Sequence, residues 1–461
     1  MKKTKYDKLT SKYQKELLKT LGEFVAIDSS YDEESVSEQD PFGLGVSRAL
    51  AYIQDLAIKD GFEVNNYDNK VVEILYGQGK KNLTIMAHAD VVPAGTTGWN
   101  NPPFKMVEKK GVLYGRGVAD DKGPLLATYF ALKALRDNGE LGGYQIRFLV
   151  GGNEERGSLC MEHYFQTLKK PQPTLGFSPD SDFPLIYAEK GIITFEVSYK
   201  IDIPGLISVK GGVASNAVIE KCEVKTEINS DWLNFILKNY KRSEAEIHTE
   251  DDVTTVSFIG KAAHGATPEL GVNAGMMAIS ALADFYKNPL LQQLKKLYLA
   301  LDGSGYKCQG SSSDMGHNSS NVGIISISEG NISLTCNFRY VDTCDKKVLL
   351  STIKEMNKPF TVKVIGESPL LFYPKDTLLI QTLLRSYREE TNDYKTEPLA
   401  IGGGTYAKEA KNVVAFGMQF PGWESNMHSP GESAKKEDLF KGMSIYARAI
   451  VDLGNQLKDE N

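Results

Sequence analysis

Five short clusters of acidic and histidine residues contain the side chains of this chain best suited to binding metal ions. Each cluster lies where an apolar, strand-like run gives way to a turn rich in Gly or Pro. Imidazole and carboxylate groups are ligands for Zn, Mn and Co, and two divalent ions that share a bridging carboxylate form a hydrolytic centre. The pattern therefore predicts an enzyme that hydrolyses its substrate. The clusters are His88-Ala89-Asp90, Ala119-Asp120-Asp121-Lys122-Gly123, Asn153-Glu154-Glu155, Pro179-Asp180 and Asn426-Met427-His428-Ser429.

Each cluster, taken alone, also has an ordinary structural explanation. Carboxylates are favoured at helix N-termini in any protein, and most histidines and loop glutamates are simply solvated. The alternatives are a capped turn before Pro93 for His88 and Asp90, a helix N-terminus for Asp120 and Asp121, a solvated pair for Glu154 and Glu155, and a surface position for His428. Only the five clusters together favour a metal site.

The elements that must position these clusters alternate between strand and helix in the first part of the chain. Apolar periodicity predicts a helix over residues 14–26 and strands over 83–87 and 146–150. Pro124 and the Asn138-Gly139 pair mark the start and end of another helix. This alternation predicts an α/β fold with a mixed sheet and helices on both faces, in which ligands collect at strand ends.

From residue 188 to about residue 375 the pattern changes to locally paired strands with separate helices. Strand-like runs cover 192–201 and 253–259, and a hairpin signal joins 323–328 to 332–338. A helix is predicted over 272–285, and the Gly- and Ser-rich residues 303–320 are predicted to form a mobile surface loop. We therefore predict a discontinuous α/β domain, residues 1–187 and 376–461, interrupted by an α+β domain over 188–375. In the second part of the α/β domain, the pattern predicts a helix from Leu378, a strand at 413–416 and a final helix at 437–457.

Composition excludes several classes of function. The net charge of −6 with interleaved acidic and basic residues gives no reason to expect nucleic acid. No apolar run approaches the roughly 18 residues that span a bilayer, and the basic start has no apolar segment behind it, so neither membrane insertion nor secretion is expected. The five cysteines are widely spaced and form no C-x-x-C pattern, which is typical of reduced thiols. We expect a cytoplasmic protein.

Seven motifs, in order along nearly the whole chain, resemble those of the peptidase family that includes aminoacylases, succinyl-diaminopimelate desuccinylase, glutamate carboxypeptidase and carnosinase. The resemblance is closest to the family's bacterial dipeptidase V (Xaa-His dipeptidase) type. The motifs are H-A-D-V-V-P from His88, G-R-G-V-A-D-D-K-G-P from Gly115, N-E-E from Asn153, S-P-D-S-D-F-P from Ser178, E-K-G from Glu189, A-A-H-G-A from Ala262 and I-G-G-G-T-Y-A from Ile401.

The resemblance implies a role for each residue of the metal clusters. Asp120 would bridge two metal ions, His88 and Asp180 would complete the protein ligands of one, and Glu155 and His428 those of the other. A water molecule would lie between the ions, with its pKa lowered by them. Asp90 would orient His88, and Glu154 would act as the general base. Glu154 and Glu155 are expected on an extended segment, where neighbouring side chains point apart. The resemblance also implies a cis peptide bond between Asp120 and Asp121.

The resemblance identifies the inserted domain as a lid that would close over the metal ions. His264 would stabilise the oxyanion with help from Asn216, and Arg339 would bind the substrate's terminal carboxylate. An alternative for Arg339 is an ion pair with Asp342 or Asp345. A second carboxylate contact is expected from Gly403, Gly404 and Thr405, whose segment lacks the G-x-x-x-x-G-K-[ST] phosphate motif. Lys408 stands where this type often has Arg, which puts its contact with substrate in doubt.

The expected activity is metal-dependent hydrolysis of unblocked dipeptides by a monomer. The cofactors would be two divalent ions, Zn first, with Mn or Co as alternatives. The monomer is expected because an inserted domain of this length exceeds the dimerising lid of smaller relatives. Two other functions stay open: an N-acyl-amino-acid deacylase of the same family, and a non-catalytic peptide-binding protein.

Overall fold

The computed structural model describes residues 3–458, and the chain divides into two compact units. The first unit comprises residues 1–187, 373–399 and 404–461, and the second comprises residues 188–372 and 400–403. Five residues within these ranges, 1–2 and 459–461, lie outside the described part. No helix within residues 3–458 is long and apolar enough to cross a membrane.

The N-terminal segment of the first unit carries five helices and nine strands. Its helices are α1 Lys5–Thr10, α2 Gln14–Val25, α3 Leu44–Lys59, α4 Lys122–Asp137 and α5 Leu159–Glu162. Its strands are β1 Glu63–Tyr67, β2 Val71–Tyr76, β3 Asn82–His88, β4 Val107–Lys109, β5 Val112–Tyr114, β6 Gln145–Gly151, β7 Leu175–Ser178, β8 Ser181–Asp182 and β9 Ile186–Glu189.

The inserted segment, which forms nearly all of the second unit, carries four helices and eleven strands. Its helices are α6 Ser230–Asn239, α7 Ala274–Tyr286, α8 Pro289–Tyr298 and α9 Lys346–Met356. Its strands are β10 Gly191–Lys200, β11 Leu206–Gly211, β12 Lys221–Glu227, β13 Ala245–Glu250, β14 Val253–Ile259, β15 Ser311–Ser312, β16 Gly316–His317, β17 Ser319–Ser328, β18 Asn331–Tyr340, β19 Thr361–Ser368 and β20 Leu371–Phe372.

The C-terminal segment belongs to the first unit except for residues 400–403. It contains α10 Leu378–Thr391 and α11 Lys436–Leu457, together with β21 Leu399–Ile401, β22 Val413–Ala415, β23 Met418–Gln419 and β24 Ser433–Lys435. Short 3-10 turns lie at Ser11–Tyr13, Glu33–Ser35, Pro268–Leu270, Ser304–Tyr306 and Tyr406–Glu409, and a π-helical turn spans His163–Thr167.

The central sheet of the first unit is mixed, in the order β1-β2-β6-β3-β7-β22-β9. Strands β6, β3, β7 and β22 are parallel, whereas β1, β2 and β9 pair antiparallel at the two sides. All seven residues of β3 are buried, so both faces of the sheet are covered at its centre. Because β6, β3 and β7 are parallel neighbours, their carboxyl ends meet at one edge of the sheet.

The second unit contains an antiparallel sheet in the order β13-β14-β12-β11-β17-β18-β10-β19. Strand β10 alternates buried and half-buried residues, which is the pattern of a sheet with one face on a core. Helix α7 packs against β12 and β14 of this sheet, and its core includes the fully buried Trp232. The expected α/β fold with a mixed sheet, interrupted by an α+β insertion, is therefore confirmed.

The structure differs from the sequence-based expectation in two segments. Residues 303–320 are not a simple surface loop, because they contain a 3-10 turn, the β15–β16 hairpin and the start of β17, and Tyr306 and Cys308 are buried. The boundary of the inserted unit also differs from 188–375. Tyr373 N donates to Tyr187 O at 2.9 Å within the first unit, whereas Lys190 N donates to Ile401 O at 3.1 Å within the second.

Candidate metal centre

Three of the candidate ligands lie where parallel strands of the first unit end. His88 is the last residue of β3, Glu155 follows β6, and Asp180 follows β7. Asp120 lies immediately before α4, and His428 lies in the loop between β23 and β24. The sheet therefore brings together side chains that are far apart in sequence, because neighbouring parallel strands present their carboxyl ends to the same crevice.

Asp120 lies between two groups of candidate ligands. Its Oδ1 atom is 3.0 Å from His88 Nε2, and His88 Nε2 is 3.6 Å from Asp180 Oδ2. Its Oδ2 atom is 2.8 Å from His428 Nε2, which is 3.2 Å from Glu155 Oε2. Each oxygen of Asp120 thus faces a different histidine and a different acidic residue, as a bridging carboxylate does.

The chemistry of this donor set fits divalent metal ions. One ligand atom each of His88, Asp120 and Glu155 lie within 4.8 Å of one another, and so do one each of His88, Glu154 and Asp180. Within the described residues, Glu155 Oε1 is buried without a hydrogen-bond partner. A buried polar atom without a partner is costly, and a cation bound at this position would remove that cost.

Several groups of this centre have pKa values displaced by their neighbours. Hydrogen bonds that His428 donates to Asp120 and Glu155 raise the pKa of His428 to about 11. Burial and the charge of Asp120 raise the pKa of Glu155 to about 7. Although burial opposes the change, hydrogen bonds to His428 and His88 hold the pKa of Asp120 well below its usual range. Burial also opposes the change at His88, whose pKa is nonetheless raised by hydrogen bonds to Asp120 and Asp180.

Glu154 has a buried carboxyl group and lies in a turn. Burial, followed by the charge of Asp180, raises the pKa of its carboxyl well above the usual value. The segment that carries it is a turn and not an extended strand, since Gly157 N donates to Glu154 O at 3.2 Å. The expected reason for the different directions of Glu154 and Glu155 is therefore wrong, because the turn, not strand alternation, sets where each side chain points.

Asp90 contacts His88 mainly through its backbone. His88 Nδ1 is 3.0 Å from the carbonyl oxygen of Asp90 and 3.5 Å from its carboxylate. The two carboxylate oxygens instead accept the backbone N–H groups of Glu154 and Glu155, each at 3.1 Å. Asp90 thus orients the turn that carries both glutamates as well as the imidazole ring.

Asp121 does not cap helix α4 with its side chain. Its Oδ2 atom accepts the backbone N–H of His88 at 3.1 Å, and the peptide bond between Asp120 and Asp121 is cis, as expected. The alternative in which this acidic pair serves only a helix N-terminus is therefore wrong for Asp121. Its neighbour Lys122 is fully buried, with Nζ donating to Phe24 O at 3.1 Å and Ile27 O at 2.7 Å.

Glu432 is a residue of this centre that we did not expect from the sequence. Its carboxylate is fully buried, pairs with Arg116 at 2.6 Å and accepts the backbone N–H of Asp120 at 3.2 Å. A glutamate four residues after a candidate metal-binding histidine was the available signal. It was not recognised because most of its partners are backbone groups, which leave no mark on the sequence.

Within the second unit, His264 lies beside Asn216. Gly265 N donates to Asn216 O at 2.7 Å, and Ala217 forms an isolated antiparallel bridge with His264. Ala266 N lies 3.2 Å from His264 Nδ1 and donates to it. A nitrogen that accepts a hydrogen bond carries no proton, so the neutral ring bears its hydrogen on Nε2.

Arg339 is buried in the second unit and donates hydrogen bonds to uncharged groups. Its Nε atom donates to Asn337 Oδ1 at 2.9 Å, and Nη1 donates to the carbonyl oxygen of Gly402. Burial lowers the pKa of Arg339 to about 10. Among the ion pairs of the described residues none joins Arg339 to Asp342 or Asp345, and Asp345 instead caps α9, so that alternative is wrong.

The glycine-rich segment that follows β21 passes from the second unit to the first between Gly403 and Gly404. Gly402 packs closely against Ala266 of the same unit, since a Cβ atom added at Gly402 would lie 2.8 Å from Ala266 Cβ. The Thr405 hydroxyl accepts the N–H of Ala407 at 3.2 Å and begins the 3-10 turn. A Cβ atom added at Gly404 would lie 3.1 Å from Lys408 Nζ, so the Lys408 side chain passes close to this glycine.

This chain is similar to known proteins both in its sequence and in its fold. The sequence profile of peptidase family M20/M25/M40 matches residues 84–452. A Staphylococcus aureus (strain USA300) protein named "Putative dipeptidase" is 35% identical over 463 residues, which cover 96% of this chain and 97% of the relative.

Solved structures of low sequence identity share the fold. Human carnosine dipeptidase 1 has a TM-score of 0.58 and 18% identity, with 98% of this chain and 99% of that chain covered. The yeast di-peptidase Dug1p, from Saccharomyces cerevisiae, has a TM-score of 0.59 and 16% identity, with 98% of each chain covered. An M20 family metallo-carboxypeptidase from Sulfolobus solfataricus has a TM-score of 0.59 and 18% identity, with 95% and 99% covered.

Proposed function

Because this chain belongs to peptidase family M20/M25/M40, a family of metal-dependent hydrolases, we propose that it is a dinuclear metallo-dipeptidase acting on unblocked dipeptides. The observation that carries the proposal is the position of Asp120, whose two oxygens face His88 and His428 at 3.0 and 2.8 Å. His88 and Asp180 hold one metal position, Glu155 and His428 hold the other, and Asp120 is shared. The name of the Staphylococcus aureus relative supports dipeptides as the substrate class.

Two divalent metal ions, when bound here, would lower the pKa of a water molecule and polarise the scissile carbonyl. Glu154 takes the proton from the attacking water and delivers it to the leaving amine. A carboxyl whose pKa is raised by burial suits this role, because it accepts the proton of the water more readily than an ordinary carboxylate and can still pass it to the more basic amine. Asp90 holds the backbone of Glu154 in place throughout.

Five further residues and Arg339 bind or stabilise the substrate in this proposal. His264, with its hydrogen on Nε2, donates to the oxyanion of the tetrahedral intermediate, and Asn216 supports it. Arg339 binds the terminal carboxylate of the dipeptide. Its buried guanidinium donates to the uncharged Asn337 side chain and Gly402 carbonyl, which supports pairing with an anion brought by the substrate. Gly403, Gly404 and Thr405 provide a second contact to that carboxylate.

Zn is the proposed metal, with Mn or Co as alternatives, because imidazole and carboxylate ligands accept all three. We further propose that the protein acts as a monomer in the cytoplasm. Its five cysteines are free, and four are buried, which supports a reducing compartment. Light scattering of the purified protein tests the monomer, since a dimer would double the measured mass.

The deciding experiment combines metal analysis with a substrate panel. Elemental analysis of the purified protein should give two metal ions per chain, and chelation should abolish turnover. Free dipeptides should be hydrolysed with added Zn or Mn, and N-acetyl amino acids should not. Preference for the acetylated set would favour the N-acyl-amino-acid deacylase instead. Tight peptide binding without cleavage in metal-replete protein would favour the non-catalytic alternative.

A further inference from the structure

Glu432 connects two parts of the candidate metal centre that are distant in sequence. It precedes β24, which pairs antiparallel with β5, and Gly115 N donates to the carbonyl oxygen of Glu432 at 3.2 Å. The pairing of β24 with β5 therefore places the Glu432 side chain beside the loop that leads from Gly115 to Asp120. Glu432 itself is fully buried.

One oxygen of the Glu432 carboxylate collects the backbone N–H groups of that loop. Oε1 accepts from Gly117 at 3.0 Å, from Ala119 at 3.0 Å and from Asp120 at 3.2 Å. Three donors converging on one carboxylate oxygen fix the loop's path up to the bridging residue itself. Charge-assisted hydrogen bonds of this kind are among the stronger ones in proteins.

The second oxygen is held by an arginine from the same loop. Oε2 accepts from Arg116 Nη1 at 2.6 Å, and both side chains are buried. The Arg116 guanidinium lies 5.3 Å from the ring centre of Trp99, which limits its freedom to turn away. The carboxylate is thus fixed at both oxygens and cannot rotate without breaking several contacts.

Glu432 also lies four residues after His428, on the same short segment. Ser433 N donates to Ser425 O at 2.8 Å, which closes the segment into a compact loop around His428. A shift of Glu432 would therefore move the loop of Asp120 and the segment of His428 relative to each other. The Oδ2 of Asp120 and the Nε2 of His428, now 2.8 Å apart, are the atoms whose spacing would change.

We propose that Glu432 is a positioning residue that sets the geometry of the two metal positions by fixing the backbone of Asp120 against the segment of His428. The proposal rests on the metal centre described above. Glu432 contacts neither substrate nor reacting atoms in this role. It acts through Asp120, in the way that groups behind the ligands tune metal affinity in other proteins.

The test is metal binding by the full-length protein with Glu432→Gln. Glutamine keeps the size of the side chain, but its amide nitrogen is a donor. It must face either Arg116 or the three backbone N–H groups, which are donors too, so hydrogen bonds are lost in either orientation. Titration of the metal-depleted protein with Zn²⁺ or Mn²⁺, followed by calorimetry, should show affinity reduced roughly 10–100-fold at the site that includes His428. Affinity within twofold of wild type in a folded variant would overturn the proposal.

Glu390→Gln is the matched control. Glu390 is also a fully buried carboxylate of the first unit, paired with Lys441 and Arg448 and remote in sequence from every candidate ligand. Its replacement should lower the midpoint of thermal unfolding but leave metal affinity within twofold of wild type. Equal losses of metal affinity in the two variants would mean that Glu432 matters only for general stability, and would also overturn the proposal.

Two further results complete the design. Should glutamine at 432 prevent folding, Glu432→Asp provides the same comparison, because the shorter side chain keeps its charge but cannot reach both Arg116 and the loop. Failure of the wild-type protein to bind two ions would refute the proposed function itself. If the wild-type protein binds two ions and the Glu432 variant binds them equally well, only the positioning role is refuted.

Discussion

One carboxylate oxygen of Asp90 accepts the backbone N–H of Glu154 at 3.1 Å. The residue expected to orient an imidazole ring therefore also fixes the position of the proposed base. We predict that Asp90→Asn lowers kcat about 10–100-fold, because the amide nitrogen cannot accept an N–H and must displace the backbone of one glutamate. Steady-state kinetics together with metal analysis measure this. Unchanged kcat at full metal occupancy would show that the contact has no catalytic consequence.

Glu154→Gln should abolish dipeptide turnover while leaving metal binding near that of the wild type. Proton transfer by a positioned side chain typically contributes 10²–10⁴-fold to a rate, so a loss of at least about 100-fold is expected. Calorimetric titration with Zn²⁺ provides the control for metal binding. If Glu154 were instead a ligand of the ion near His88 and Asp180, to which it lies close, the variant would lose metal as well as activity.

Metal binding should release protons and should weaken as the pH falls. Hydrogen bonds that His428 donates to Asp120 and Glu155 raise the pKa of its imidazole to about 11, so this imidazole is protonated in the metal-free protein at neutral pH. A metal ion binds only neutral imidazole, so lower pH favours the proton and higher pH favours the metal. Titrations in buffers of different ionisation enthalpy count the protons released. The His428→Ala variant should release fewer protons than the wild type when metal binds. Metal binding to the wild type without proton release would contradict the prediction.

Arg339→Met should raise KM for dipeptides much more than it lowers kcat. A hydrogen bond to a charged group contributes about 1.5–3 kcal/mol, which predicts roughly a 10–100-fold loss in kcat/KM. Dipeptide amides, which lack the terminal carboxylate, should be poor substrates of the wild type and nearly insensitive to the substitution.

Arg147→Met is the matched control for that experiment. Arg147 is another buried arginine with uncharged partners, including Asn82 Oδ1 at 2.8 Å and Pro171 O at 2.8 Å. It lies in the first unit and belongs to no candidate site. Its loss should lower thermal stability without changing KM, whereas equal KM effects in both variants would remove the carboxylate-binding role of Arg339.

Patterns of local sequence predicted the elements that carry the metal centre. Strands β3 and β6 are mostly apolar, and they end within a residue or two of the positions expected. Helix α4 begins at Lys122, two residues before the expected start at Pro124, so the proline lies within its first turn. The local sequence is informative here because parallel strands that are buried on both faces consist mainly of apolar residues.

Contacts between distant backbone and side-chain groups were not predictable from sequence. The turn at Glu154 depends on the carboxylate of Asp90, and the loop of Asp120 depends on Glu432. Residues 303–320 resembled a loop by their Gly and Ser content, yet Tyr306 is buried and donates to Ser320 at 2.7 Å. In each case the partner is chosen by the tertiary fold, which composition does not encode.

The separation of Asp120 from Glu432, 312 residues along the chain, has a consequence for protein synthesis. At the usual translation rate of about 5–20 residues per second, roughly 15–60 seconds pass between the two. During that interval β6 and β7 are made, but the backbone N–H groups of the Asp120 loop still lack their Glu432 acceptor. The geometry described for the candidate metal centre can therefore form only after residue 432 has been synthesised.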